Sequence, residues 1–118
     1  MLSSLVKGRV YLAAGATDMR KSFNGLSGLV HTQLMGDPLS GDLFVFCNQH
    51  KNRLKILYFD TSGMWVFAKR LERGTFAWPA RDDTRGRIEL RYEELLLLLN
   101  GIDASELRER RRWRRAAS

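Results

Sequence analysis

From residue 42 onward the chain is written in short apolar and aromatic runs separated by turn-forming residues, and this grammar constrains the fold more than any other feature. Leu43-Phe44-Val45-Phe46-Cys47 is followed by the polar stretch Asn48-Gln49-His50-Lys51-Asn52, and Arg53-Leu54-Lys55-Ile56-Leu57-Tyr58-Phe59 by Asp60-Thr61-Ser62-Gly63. Trp65-Val66-Phe67-Ala68-Lys69-Arg70-Leu71 precedes Glu72-Arg73-Gly74, and a brief Thr75-Phe76-Ala77-Trp78 ends at Pro79. Runs of this length, rich in aromatic and branched residues and bounded by Asn, Asp, Gly and Pro, predict four successive strands. Short connections put sequence neighbours side by side, so the pattern predicts an antiparallel meander.

Upstream, Val10-Tyr11-Leu12-Ala13 reads as a strand closed by Ala14-Gly15-Ala16, with Thr17 or Asp18 placed to cap a helix. Met19, Phe23, Leu26, Val30 and Leu34 then fall on one stripe with Leu29 beside it, which predicts an amphipathic helix over 19–35 that stops at Gly36-Asp37-Pro38. Gly25 and Gly28 lie inside it, each costing about 1 kcal/mol relative to Ala, and the usual compensation is close packing against another element.

Residues 80–86 carry no apolar pattern and read as an exposed loop. Arg87-Ile88-Glu89-Leu90 predicts a short strand, and a helix follows from about Tyr92 to Leu99, stopped by Asn100-Gly101. Leu95 through Leu99 is an unbroken leucine run that cannot lie on one helix face, so this helix is either buried on several sides or part of it is a partner surface. Asp103 with Glu106 has the spacing of a capping box opening a final helix.

The expected fold is therefore α+β: an antiparallel meander of about 4–6 strands, packed by an N-terminal amphipathic helix and a C-terminal Leu-rich helix. Residues 1–104 form one domain and 105–118 an Arg-rich tail or helix. At 118 residues and 44% apolar content, one folded domain with a real core is expected. No apolar run approaches the ~18 residues of a membrane span. The start of the chain has no signal-peptide pattern, so a cytoplasmic location is expected. A single Cys47 makes no intrachain disulfide.

Charge is concentrated at one end. Residues 108–115 hold six arginines against one glutamate, hence five of the formal +7 charges. Clustered guanidiniums suit phosphates, each able to donate two parallel hydrogen bonds. Arg108, Arg111, Arg112 and Arg115 share one face if the tail is helical, and Glu106 can pair with Arg110, leaving that stripe free; Arg114 adds to the same run, and Trp113 can stack on a base. DNA, through its phosphate backbone, is the expected partner. A second basic set is spread over the strands and turns: Lys51, Arg53 and Lys55, then Lys69, Arg70 and Arg73. Arg53 and Lys55 are two apart and share a sheet face, and a cationic stripe forms if Lys69 pairs on that face. Arg20 and Lys21, beside Asp18 at the start of the first helix, are further candidates for an anion contact.

Enzyme signatures are poor. His31 and His50 show no metal-ligand spacing with Cys47 or a carboxylate, and Cys47 sits in an apolar strand where a thiol is structural. Asp60, Asp82, Asp83 and Glu89 are candidates for a metal-dependent nuclease, but each sits beside a turn or exposed loop, where Asp is common for backbone reasons alone. No catalytic residue, metal or cofactor is expected.

Five ordered blocks carry a family resemblance. They are Gly15-Ala16-Thr17-Asp18-Met19-Arg20-Lys21-Ser22-Phe23-Asn24-Gly25-Leu26, Asp37-Pro38-Leu39-Ser40-Gly41-Asp42-Leu43-Phe44-Val45-Phe46, Asn52-Arg53-Leu54-Lys55-Ile56-Leu57-Tyr58-Phe59-Asp60, Lys69-Arg70-Leu71-Glu72-Arg73-Gly74-Thr75-Phe76-Ala77-Trp78-Pro79 and Leu98-Leu99-Asn100-Gly101-Ile102-Asp103. The chain resembles the TnpB-type accessory proteins, or second open reading frame, of the bacterial insertion sequence 66 family. The resemblance implies a non-enzymatic role in transposition beside a separate DDE-type transposase and a third element-encoded protein. The alternative function is an interaction module that docks on the transposase through the Leu-rich helix or the sheet, with only nonspecific affinity for nucleic acid.

Overall fold

The computed structural model describes residues 8–79 and 86–101. Over these residues the chain runs β1 (Val10–Ala16), α1 (Phe23–Thr32), β2 (Leu43–Cys47), β3 (Arg53–Phe59), β4 (Met64–Arg70), β5 (Arg87–Leu90) and α2 (Tyr92–Leu99). The strands make one five-stranded sheet in the order β4-β3-β2-β1-β5, so the architecture is α+β with a mixed, mostly antiparallel sheet.

The expected meander covers β2, β3 and β4, and two features depart from it. β1 pairs in parallel with β2, Val10 opposite Leu43 and Leu12 opposite Val45, with α1 forming the crossover between them. The fourth run, Thr75 to Trp78, is not a strand: the Phe76 N–H donates to the Lys51 carbonyl at 2.7 Å and the Trp78 N–H to the Phe76 carbonyl at 2.8 Å, a local turn rather than a ladder. The order is completed by β5, antiparallel to the other side of β1.

Side-chain alternation divides the interior into two clusters, one on each face of the sheet. On one face Tyr11, Ala13, Phe44, Phe46 and Leu57 meet Leu26, Val30 and Leu34 of the α1 segment. On the other, Val10, Leu12, Val45, Leu54 and Ile56 meet Leu95 and Leu98 of α2, with Phe76 wedged among them. The leucine run is thus split by helical period: Leu95 and Leu98 are core, while Leu96 is 44% exposed.

α1 begins later than the apolar stripe suggests. The Asp18 carboxylate accepts from the Arg20 N–H at 2.9 Å, a local turn that competes with helix, and α1 opens only after Ser22, whose side chain makes no capping bond. Phe23, on the expected stripe, is left exposed. At α2 the Glu94 carboxylate accepts from the Arg91 N–H at 3.1 Å, closing the first turn, and Gly101 adopts φ 71° just past the Asn100 cap, the left-handed conformation that ends helices.

The expectation that Gly25 and Gly28 permit close packing does not hold. A Cβ added at Gly25 would meet only the Lys21 side chain, and one at Gly28 would meet nothing within 4 Å. Gly28 is therefore a helix-interior glycine with no packing role. Gly28→Ala is expected to raise stability by about 0.5–1 kcal/mol in urea unfolding, because alanine restricts the unfolded chain and fits the helical backbone. A loss of stability would mean that Gly28 faces something the packing does not contain.

Candidate nucleic-acid interface

The β3–β4 register decides which cations can act together. Arg53 lies opposite Arg70, Lys55 opposite Ala68, and Leu54 opposite Lys69. Directly opposed residues share a face, so Arg53, Lys55 and Arg70 stand on the α1 face. Lys69 stands on the α2 face, where its ammonium donates to the Leu99 carbonyl at 2.6 Å. The expected Arg53–Lys55–Lys69 stripe is thus corrected to Arg53, Lys55 and Arg70: one residue of register moves a side chain to the opposite face.

These three cations line an open groove of about 480 Å³ with Met19 and Glu72, and Leu54 and Lys69, whose side chains lie on the α2 face, also border it. A second depression continues from it past Met19 and Arg53 to Thr17, Asp18, Arg20, Asn48 and His50. The segment before α1 is tied to the sheet by the Lys55 ammonium, which donates to the Lys21 carbonyl at 2.8 Å. Arg20, Lys21, Arg53, Lys55 and Arg70 are thereby gathered at one end of the sheet.

Two of them are already answered by carboxylates. Arg20, with a side chain 92% exposed, forms a forked pair with Asp18 at 2.7–3.1 Å, which holds the Asp18 carboxyl at about 2, well below its usual range. Arg70 pairs with Glu72 at 3.3 Å. Arg53 differs. It is exposed, directly opposite Arg70, and among the described residues its guanidinium has no hydrogen-bond or ion-pair partner. Like charges held opposite each other are unfavourable in a bare sheet, and a bound anion between them would relieve that cost.

The polar turn before β3 presets this arrangement. The Asn48 side-chain carbonyl accepts from the Asn52 and Arg53 N–H groups at 3.0 and 3.1 Å, fixing the start of β3 and the side from which Arg53 emerges. Thr17, expected as a possible helix cap, does not cap one: it is buried, its N–H donates to the Cys47 carbonyl at 2.7 Å, and its hydroxyl has no partner among the described groups.

Other candidates lie apart. Lys51 sits on the far side of its turn, lining a hollow with Gly15 and Trp78, and Arg73 projects from the exposed turn before Gly74. Arg108, Arg110, Arg111, Arg112, Trp113, Arg114 and Arg115 lie outside the described residues, as do the Asp103–Glu106 capping box, Asp82 and Asp83.

Of the groups that could suggest catalysis, Cys47, Asp60 and Glu89 have structural employment. Burial pushes the Cys47 thiol up to about 11, which leaves it protonated and unreactive near neutrality. The Asp60 carboxylate accepts from the Trp65 indole N–H at 2.6 Å and from the Ser62 and Gly63 N–H groups, and these bonds lower it to about 2. Glu89 pairs with Arg9 at 3.5 Å. Among the described residues no three His, Cys, Asp or Glu side chains stand together as a metal would require, and no helix is long and apolar enough to cross a membrane.

Comparison with known proteins places this geometry in a family. The family model described as IS66 Orf2-like protein matches residues 8–109. Among curated proteins, the "Uncharacterized protein y4hO" of Sinorhizobium fredii is 42% identical over 103 residues, covering 87% of this chain and 88% of the relative. The "Uncharacterized protein y4jC" of the same organism is 37% identical over 102 residues, covering 86% of each. No solved structure matches. The match takes in the β2–β3 turn, the Arg53–Arg70 pair and both helices, and on this ground the chain belongs to the IS66 Orf2-like protein family.

Proposed function

We propose that this protein is a non-enzymatic accessory factor of insertion-sequence transposition that holds DNA by its phosphate backbone and helps a separate DDE-type transposase assemble on it. Family membership supports the process. The observation that supports the contact is the Arg53–Arg70 pair, with Arg53 unneutralised in a groove that also receives Lys55. Arginines 108–115 add a second cluster, so the folded body and residues 105–118 both contribute charge. Such contacts position a protein on DNA without reading bases, so affinity should vary little with sequence.

The test is anisotropy of a labelled duplex titrated with the full chain between 50 and 200 mM salt. Neutralising about six phosphates gives a log–log slope of roughly −5 and a loss on the order of a thousandfold. Deleting 105–118 should remove most of that slope, and Arg53→Gln should reduce it by about one. Absence of binding at 50 mM salt would sink the proposal. Docking on a transposase through α2 is narrowed by the packing, since Leu95 and Leu98 face inward and Leu96 alone of the five leucines is exposed.

A further inference from the structure

The sheet has two edges, and they are built differently. β5 is four residues long and carries Arg87 and Glu89, the short charged kind of edge that resists pairing. β4 is seven residues long, and from Met64 to Ala68 it carries no charge and no proline. Its pairing with β3 runs in unbroken register from Arg53–Arg70 to Phe59–Met64, so no bulge turns the edge away. Among the described residues nothing pairs with its outer side.

The main-chain groups on that outer side can be identified. The Leu71 N–H donates to the Asn52 carbonyl at 2.9 Å, and the Asp60 N–H to the Gly63 carbonyl at 3.0 Å. Both couples continue the β3–β4 register, so the odd-numbered residues of this strand turn their main-chain groups toward β3. Met64, Val66, Ala68 and Arg70 consequently point their N–H and C=O groups outward.

We infer that β4 is a self-pairing edge: two copies of this chain join β4 to β4 antiparallel about a twofold axis at Phe67, making one continuous sheet. This is the register that overlaps all seven residues. Met64 then faces Arg70 of the second copy and Val66 faces Ala68, and these are the hydrogen-bonded positions, as the outward groups require. Phe67 faces its own counterpart and Trp65 faces Lys69 at the intervening positions, where side chains come closest. No like charges meet.

The side chains of the α2 face fit this arrangement. Trp65 is 51% exposed, yet its indole is fixed, with its N–H on Asp60 and its ring stacked on Phe67 at 5.7 Å and 7°. A rigid, exposed aromatic pair on an unpaired edge loses little freedom on docking. Lys69, with its ammonium on the Leu99 carbonyl, presents its methylene stem to the opposing indole, and the Asp60 carboxylate beside that indole complements its charge. The inference rests on the main-chain edge of β4 and its α2-face side chains, not on the charge of the groove, of whose cations Arg53, Lys55 and Arg70 it shares only Arg70.

Sedimentation of the full, nuclease-treated chain over micromolar to millimolar concentration tests it. The expected result is a concentration-dependent rise to twice the 13.6 kDa of one chain. Ala68→Pro removes an outward N–H without touching the β3 ladder and should weaken association by about a hundredfold or more with an unchanged circular dichroism spectrum. Phe67→Cys puts two cysteines at Cα separations of about 4.5 Å, within disulfide range, and should crosslink on oxidation. Trp65→Cys leaves its counterpart about 13 Å away along the strand and should not. Native Cys47 is buried and does not compete. A monomer at all concentrations overturns the inference. So does a dimer indifferent to Ala68→Pro, a Trp65→Cys chain that crosslinks as readily as Phe67→Cys, or a doubling of mass seen only with nucleic acid present.

Discussion

Leu95→Asn is expected to abolish most of the folding free energy, while Leu96→Asn, one residue along the same helix, leaves it nearly unchanged. Leu95 is fully buried in the α2-face cluster, and Leu96 is 44% exposed. Removing the Leu95 side chain forfeits about 2–5 kcal/mol of transfer and packing. Placing an amide there without a partner adds about 1–3 kcal/mol. Domains of this size are stable by only about 5–15 kcal/mol, so the Leu95 variant should unfold at low denaturant or be unfolded at the outset. The Leu96 variant should stay within about 0.5 kcal/mol, the usual range for surface changes. Urea titrations followed by circular dichroism separate the two outcomes. The same contrast governs any transposase pull-down: loss of capture with Leu95→Asn reports unfolding, whereas loss with Leu96→Asn alone reports a surface.

The contrast shows what the sequence could and could not reveal. Period is local, so β2, β3 and α2 were legible from their own residues, and so was the shared face of Arg53 and Lys55. Register is not local. The turn from Asp60 to Gly63 sets Tyr58 against Trp65 and so carries Lys69 to the far face; a turn one residue different would have placed it beside Arg53. The parallel pairing of β1 with β2 was hidden for a related reason. Strand partners are chosen by tertiary packing, although a strand, a helix and a second strand in succession is the spacing a parallel crossover needs. The late start of α1 follows from Asp18, whose short carboxylate serves a turn as readily as a cap. Neither the Arg53–Arg70 opposition nor the unpaired hydroxyl of Thr17 has a signature in the residues alone, because each depends on which strand arrives alongside.

Phe76→Ala should cost about 3–5 kcal/mol, among the largest effects of any substitution outside a helix or strand. The ring is 1% exposed and belongs to the α2-face cluster, although its segment carries no ladder. That segment is held at three points: the Leu71 N–H on the Asn52 carbonyl at 2.9 Å, the Phe76 N–H on the Lys51 carbonyl at 2.7 Å, and the Trp78 indole N–H on the Ala13 carbonyl at 3.1 Å. Phe76 is thus the apolar plug of a strap laid across the sheet from the end of β4 to β1. Losing the ring leaves a cavity bordered by rigid strands that cannot collapse into it, which places the cost toward the upper end of the range. Phe76→Leu, which keeps most of the volume, should cost under about 1.5 kcal/mol. If both variants fall within 0.5 kcal/mol of the parent in urea unfolding, the strap is not part of the cooperative core. Because the Phe76 main chain also anchors the turn that sets Arg53, Phe76→Ala should weaken DNA binding at 50 mM salt even where the chain remains folded.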